Sequence, residues 1–123
     1  HVATYRADGI IVSTGTGSTG YSLAAGGPVI YPEANLISVQ PLAAHISFSK
    51  SLIVSGEDVI NLRVRDRLQS TISLDITTNV LEVDSSVYIS RSPHSTLFLR
   101  HGDTSAFYGS LASKLSGNKS ARS

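Results

Sequence analysis

The stretch Gly9–Pro28 limits the possible folds more than any other part of this chain. A short apolar run, Gly9-Ile10-Ile11-Val12, passes into an uncharged tract of glycine, serine and threonine that reaches Gly20, and the small residues beyond it stop at Gly26-Gly27-Pro28. Proline cannot continue a helix and glycine ends one readily, so a helix begun near Thr19 closes after about two turns. A doubly wound parallel sheet needs a full helix here to carry the chain back across the sheet. So short a helix argues against that fold.

The tract invites comparison with three glycine loops. Gly15-x-Gly17-x-x-Gly20 matches the dinucleotide-binding fingerprint letter for letter, but that fingerprint needs the full helix and an acidic residue about 20 positions on, and Glu33 comes too early. A phosphate-binding P-loop fails because Tyr21 stands where its lysine belongs. A nucleophile elbow fails because Thr16 occupies the place of its first glycine, ahead of Ser18. An ordinary turn between strands stays open, although the tract is long for one and lacks Asn and Asp.

The rest of the chain reads as short strands. Ile10–Thr14, Asn35–Gln40, Ser51–Ser55 and Val59–Val64 come first, the last two joined by the turn Gly56-Glu57-Asp58. Thr71–Thr77 sets Ile72, Leu74 and Ile76 against Thr71, Ser73 and Asp75, the alternation of a half-buried strand. Val80–Val83, Val87–Ser90 and Thr96–Arg100 follow, and His1–Arg6 also reads as strand. This spacing predicts a mainly β fold, an antiparallel sandwich. Two helices interrupt it: Thr19–Ala25 after the glycine tract, and about Thr104–Ser116, where Phe107, Leu111 and Leu115 share a face. Asp103 or Thr104 would cap the second helix and Gly117 would end it. The expected organisation is one domain over residues 1–116 and a polar tail over 117–123.

Composition narrows the setting. Charged residues are 15 % of the 123, against roughly 25 % in soluble domains, which points to surface covered by another domain or subunit. A net charge of +1 gives no reason to expect nucleic acid or an anionic membrane as partner. No apolar run approaches the roughly 20 residues of a membrane-spanning helix. The absence of cysteine rules out disulfides and thiolate metal sites and fits a reducing compartment such as the cytoplasm. Methionine is absent too, even at position 1, so an excised domain, or a chain with its start removed, is expected.

Read as one unit, Asp8 to Pro28 resembles the signature of the NAD kinases: Asp-Gly, two apolar residues, Val, Ser or Thr, then Thr-Pro-Thr-Gly-Ser-Thr-Ala-Tyr-Ser and a closing Gly-Gly-Pro. Pro41–Phe48, Ser51–Val54 and the helix near the end are similar to further segments of that family. The resemblance implies a two-domain kinase that moves the γ-phosphate of ATP, or a phosphoryl group of polyphosphate, to the adenosine-ribose 2′-hydroxyl of NAD. It implies Mg²⁺ and a catalytic aspartate in a Gly-Gly-Asp-Gly loop of an N-terminal domain. No Gly-Gly-Asp-Gly occurs here, so the chain looks like the β domain that supplies most of the NAD pocket, with no catalytic residue or metal ligand of its own and no turnover alone.

Carried over by resemblance, Asp8 faces the nicotinamide carboxamide, although Asp8-Gly9 also reads as a plain turn. Thr16, Thr19, Gly20 and Tyr21 fall where the family's loop contacts NAD, with Gly20 replacing the usual alanine; Tyr21 reads equally as a half-buried core tyrosine. Ala43 falls where a neighbouring subunit completes the pocket, which implies a homodimer or tetramer. His45 reads as structural, and His94 and His101 as surface residues. Asp75 matches the Asp of a family Asp-Gly pair near the phosphates, with Ile76 in place of the glycine, and reads otherwise as a solvent-facing strand residue. Gly15 replaces the family proline and is expected to loosen the loop before binding. These departures leave open a nucleotide sensor without kinase activity, or a sugar or lipid kinase of the wider superfamily.

Overall fold

The computed structural model describes residues 1–45, 48–65, 69–99 and 106–117. Seven strands and three helices follow in order: β1 (Gly9–Thr14), α1 (Gly15–Ser18), α2 (Tyr21–Ala24), β2 (Leu36–Leu42), β3 (Leu52–Ser55), β4 (Ile60–Arg63), β5 (Ser70–Leu74), β6 (Thr77–Leu81), β7 (Ser86–Ile89) and α3 (Ala106–Leu115). Every ladder is antiparallel, in a sheet of order β1-β2-β3 and two ribbons, β4-β7 and β5-β6. The mainly β, antiparallel expectation holds. The chain divides into two compact units, His1–Pro93 and His94–Ser123.

β2 is the centre of the three-stranded sheet, and its residues Ile37 to Pro41 are all buried. Period 2 sends Ile37 and Val39 to one face and Ser38 and Gln40 to the other. With Ile30, the first pair forms the buried apolar core of the described residues. The second pair is polar yet covered, so each needs a partner. Ser38 meets Ser13 across the ladder, hydroxyl to hydroxyl at 2.8 Å. Gln40 donates to the Ala25 carbonyl at 3.1 Å and to the Pro41 carbonyl at 3.0 Å, and accepts from the Ser51 hydroxyl. Since Gln40 lies opposite Ile11, its bond to Ala25 brings the end of α2 back over the middle of β1.

The turn Gly56-Glu57-Asp58 forms as expected, with Asp58 N–H donating to the Ser55 carbonyl at 3.1 Å. It does not join paired strands, because β3 belongs to the sheet and β4 to a ribbon with β7. Asn35 and Arg91 both donate to the Glu57 carboxylate, at 2.6 and 3.1 Å, and so tie the sheet's edge to the chain beyond β7.

Other sequence expectations are revised. The single strand Thr71–Thr77 is a hairpin: Leu74 pairs with Thr77, and Asp75-Ile76 is a two-residue turn. Such a turn needs a positive φ in its first half, and Asp75 adopts φ 49°, a conformation aspartate tolerates better than most residues. Ile76 is therefore 97 % exposed instead of continuing the apolar face. The helix foreseen from Thr19 to Ala25 starts only at Tyr21, and an additional helical turn lies before it, inside the glycine tract. Neither His1–Arg6 nor residues 96–99 lie in a strand. The proposed caps Asp103 and Thr104, His101, and residues 118–123 of the polar tail lie outside the described residues.

Candidate functional site

The glycine tract is a pair of four-residue helical turns lying end to end, α1 and α2, at the C-terminal end of β1. Neither turn has a side-chain cap. The exit is held by backbone instead: Gly26 N–H donates to the Leu23 carbonyl at 2.9 Å and Gly27 N–H to the Ser22 carbonyl at 2.8 Å. With Gly26 at φ 82°, this is the left-handed glycine ending that Gly26-Gly27-Pro28 predicts.

Two serines form the buried side of this pair. The Ser18 hydroxyl donates to the Gly15 carbonyl at 2.7 Å and accepts from the Ile30 N–H at 2.9 Å, with its side chain fully buried. One hydroxyl thus pins α1 to the segment that follows α2. Ser22 is equally buried, but its hydroxyl has no partner among the described residues. Gly15 is buried as well, and a Cβ there would lie 2.8 Å from the Tyr31 carbonyl oxygen. The expected loosening at Gly15 is therefore opposed by close packing of its backbone against Tyr31-Pro32. Sequence reasoning missed Ser18 and Gln40. Their available signal was polarity inside segments that otherwise read as small or apolar.

Outward, the pair presents Thr16, Gly17, Gly20 and Tyr21, all exposed, with Thr19 half-buried. Tyr21 is 67 % exposed, which removes its reading as a core tyrosine. Of the residues singled out in the sequence, Thr16, Thr19, Gly20 and Tyr21 are thus brought onto one small element.

Asp8 and Ala43 form a second group. Asp8 N–H donates to the Leu42 carbonyl at 2.9 Å, and Leu42 immediately precedes Ala43. Both residues are exposed, and Ala43 has φ 46°. His45 N–H donates to the Arg6 carbonyl at 2.7 Å, which carries the pairing past the end of β1. The imidazole of His45 is exposed. Six residues of strand separate Asp8 from Thr14, about 20 Å of rise. Asp75 sits apart from both groups in sequence, in the β5–β6 turn and not on a strand. Among the described residues, no three His, Asp or Glu side chains come together as metal ligands.

The chain is an antiparallel β domain with a small-residue double turn at a strand end. Its fold is shared with yeast NADH kinase, solved in complex with NADH: TM-score 0.77, 22 % identity, covering 98 % of this chain and 38 % of that one. The family is narrower and is carried by sequence. Residues 1–101 match the ATP-NAD kinase C-terminal domain, and the chain belongs to that family. It is 41 % identical over 120 residues to an NAD kinase of Thermoanaerobacter sp. (strain X514), covering 94 % of this chain and 41 % of that protein. It is 36 % identical over 116 residues to one of Chloroflexus aurantiacus, covering 93 % and 42 %. The chain thus spans about two fifths of the length of the curated relatives it matches.

Proposed function

We propose that this chain is the NAD-binding part of an NAD kinase, and that the whole protein transfers the γ-phosphate of ATP, or a phosphoryl group of polyphosphate, to the adenosine-ribose 2′-hydroxyl of NAD. The observation that carries the reading is the double turn pinned by Ser18, which leaves Thr16, Thr19, Gly20 and Tyr21 facing outward from a fixed base. Small side chains let a nucleotide approach the backbone, and hydroxyls and amide N–H groups suit its phosphates and sugars.

The two groups of residues divide the labour. The Asp8 carboxylate accepts hydrogen bonds, as recognition of a carboxamide NH₂ requires. The double turn takes another part of the ligand. A molecule that touches both must extend along β1, which favours a dinucleotide over a mononucleotide. In this reading the chain binds and orients NAD and supplies no proton acceptor for the 2′-hydroxyl, so no step through Mg²⁺ is assigned to it. The aspartate and the metal site belong to the part of the protein outside this chain. Ala43, exposed at the end of β2, is the contact through which a second copy completes the pocket of a cytoplasmic homodimer or tetramer.

Calorimetry on the whole protein tests the site. Asp8→Asn keeps one acceptor and loses the charge, so NAD affinity should fall by about 1 kcal/mol while ADP-ribose affinity stays constant. Equal losses for both ligands would remove Asp8 from the carboxamide. Formation of NADP from NAD, ATP and Mg²⁺ tests the activity itself, and its absence would overturn the kinase reading.

A further inference from the structure

Gln40 is polar and buried in the middle of the central strand, where Ile37, Val39 and Ile30 already supply the apolar core. A valine there would face Ile11 in the same ladder equally well, so the sheet alone does not call for an amide. Burying an amide is costly unless its hydrogen bonds are made. Here they are made. Nε2 donates to two carbonyls, that of Ala25 at 3.1 Å and that of Pro41 at 3.0 Å, and Oε1 accepts from the Ser51 hydroxyl. A side-chain NH₂ has two protons to give, so this one is saturated and its orientation is fixed.

These bonds lie between the two groups of residues assigned to NAD. Ala25 N–H donates to the Tyr21 carbonyl at 3.0 Å, so the Ala25 carbonyl is the exit end of the turn that carries Tyr21. On the other side Pro41 adjoins Leu42, whose carbonyl accepts the Asp8 N–H at 2.9 Å. A continuous path of short hydrogen bonds and one peptide link therefore runs from Tyr21 through Ala25, Gln40, Pro41 and Leu42 to Asp8, and Gln40 is its one side-chain step. We infer that Gln40 is a positioning residue: it holds the exit of the double turn at a set distance from Asp8, so that one extended ligand reaches both at once. The inference rests on the proposed NAD site and adds to it a residue that touches no ligand. Without Gln40 each group keeps its own contacts. What falls is the effective concentration of the second group once the first is engaged.

Steady-state kinetics and calorimetry on the whole protein test it, at a temperature where circular dichroism shows each variant folded. Gln40→Met keeps the length and loses both donors, so KM for NAD should rise on the order of tenfold while kcat stays within about threefold. A merely structural role would lower the folded fraction, and with it the apparent kcat, and leave KM unchanged. Gln40→Asn keeps the amide but stands back by one methylene, about 1.5 Å, and should raise KM as well, so it carries the test if the methionine variant does not fold. Ser51→Ala leaves both Nε2 bonds in place, and its KM should stay within about twofold of the wild type. Asp8→Asn, expected to lose about fivefold in NAD affinity alone, should lose less than about twofold in the Gln40→Met background, because the two groups no longer act together. Unchanged KM in the folded Gln40 variants, a Ser51→Ala shift as large as theirs, or additive Asp8 and Gln40 effects would each overturn the inference and leave the NAD reading standing. A wild-type protein that neither binds NAD nor forms NADP would overturn both.

Discussion

Ser18 and Ser22 stand four positions apart in the double turn, both are buried, and they should respond unequally to the same substitution. Ser18→Ala removes the acceptor of the Ile30 N–H and the donor to the Gly15 carbonyl, leaving buried backbone groups unpaired. We expect a loss of about 2 kcal/mol in a denaturant titration. Ser22→Ala removes a buried hydroxyl that has no partner among the described residues, so stability should change by no more than about 0.5 kcal/mol. Tyr5 sets a pH dependence. Its phenol donates to the Lys50 carbonyl at 3.0 Å, its ring lies 5.5 Å from that of Phe48, and burial pushes its pKa upward. The folded state then holds the phenolic proton more tightly than the unfolded chain. Its contribution is fully present below about pH 10, the ordinary tyrosine value, and is lost as pH rises through the folded pKa. The unfolding midpoint should drop as pH rises above about 10, and less so in Tyr5→Phe. An equal drop in that variant would assign the effect to other groups.

Between elements, buried polar ties outweigh exposed ionic ones. Gln40 links the end of α2 to β2 and to Ser51 ahead of β3, and only 6 % of it is exposed. Gln40→Leu nearly keeps the volume but strands the Ala25 carbonyl and the Ser51 hydroxyl, which should cost about 1–3 kcal/mol. The Arg91–Glu57 pair at 3.1 Å also spans two elements, but both side chains are more than half exposed. Arg91→Ala should therefore cost less than about 1 kcal/mol, and less still in high salt. If Arg91→Ala proved the costlier of the two, the account of what seats α2 on the sheet would be wrong. The β5–β6 hairpin shows why element boundaries escape a periodic reading. Alternation through Ile72, Leu74 and Ile76 does not depend on where the chain reverses, and the reversal depends on Asp75 accepting φ 49°.

For the whole molecule, the expected outcome is an oligomer. A low charge content, an exposed Ala43 held at φ 46°, and side chains such as Val59 and Val80, 65 % and 60 % exposed, all favour a surface that a second copy covers. Light scattering on the whole protein should give a dimer or tetramer at micromolar concentration, and a monomer would count against Ala43 as a subunit contact. The sequence by itself determined the class of fold, because strand alternation is a local pattern and Gly26-Gly27-Pro28 permits only a short helical piece after the glycine tract. It determined the family as well, because the long run from Asp8 to Pro28 is contiguous and needs no tertiary contact to be read. Only the tertiary structure decided that Ser18 is a pin and Ser22 a hydroxyl without a partner among the described residues, since identical residue types differ solely in what the fold sets beside them. It alone bonded the Asp8 N–H to the Leu42 carbonyl, 34 positions away in the chain, and brought the end of α2 back over β1 through Gln40. Those placements follow from the register of β1 on β2, and register is fixed by burying Ile37 and Val39 on one face, a choice made by the packed sheet as a whole.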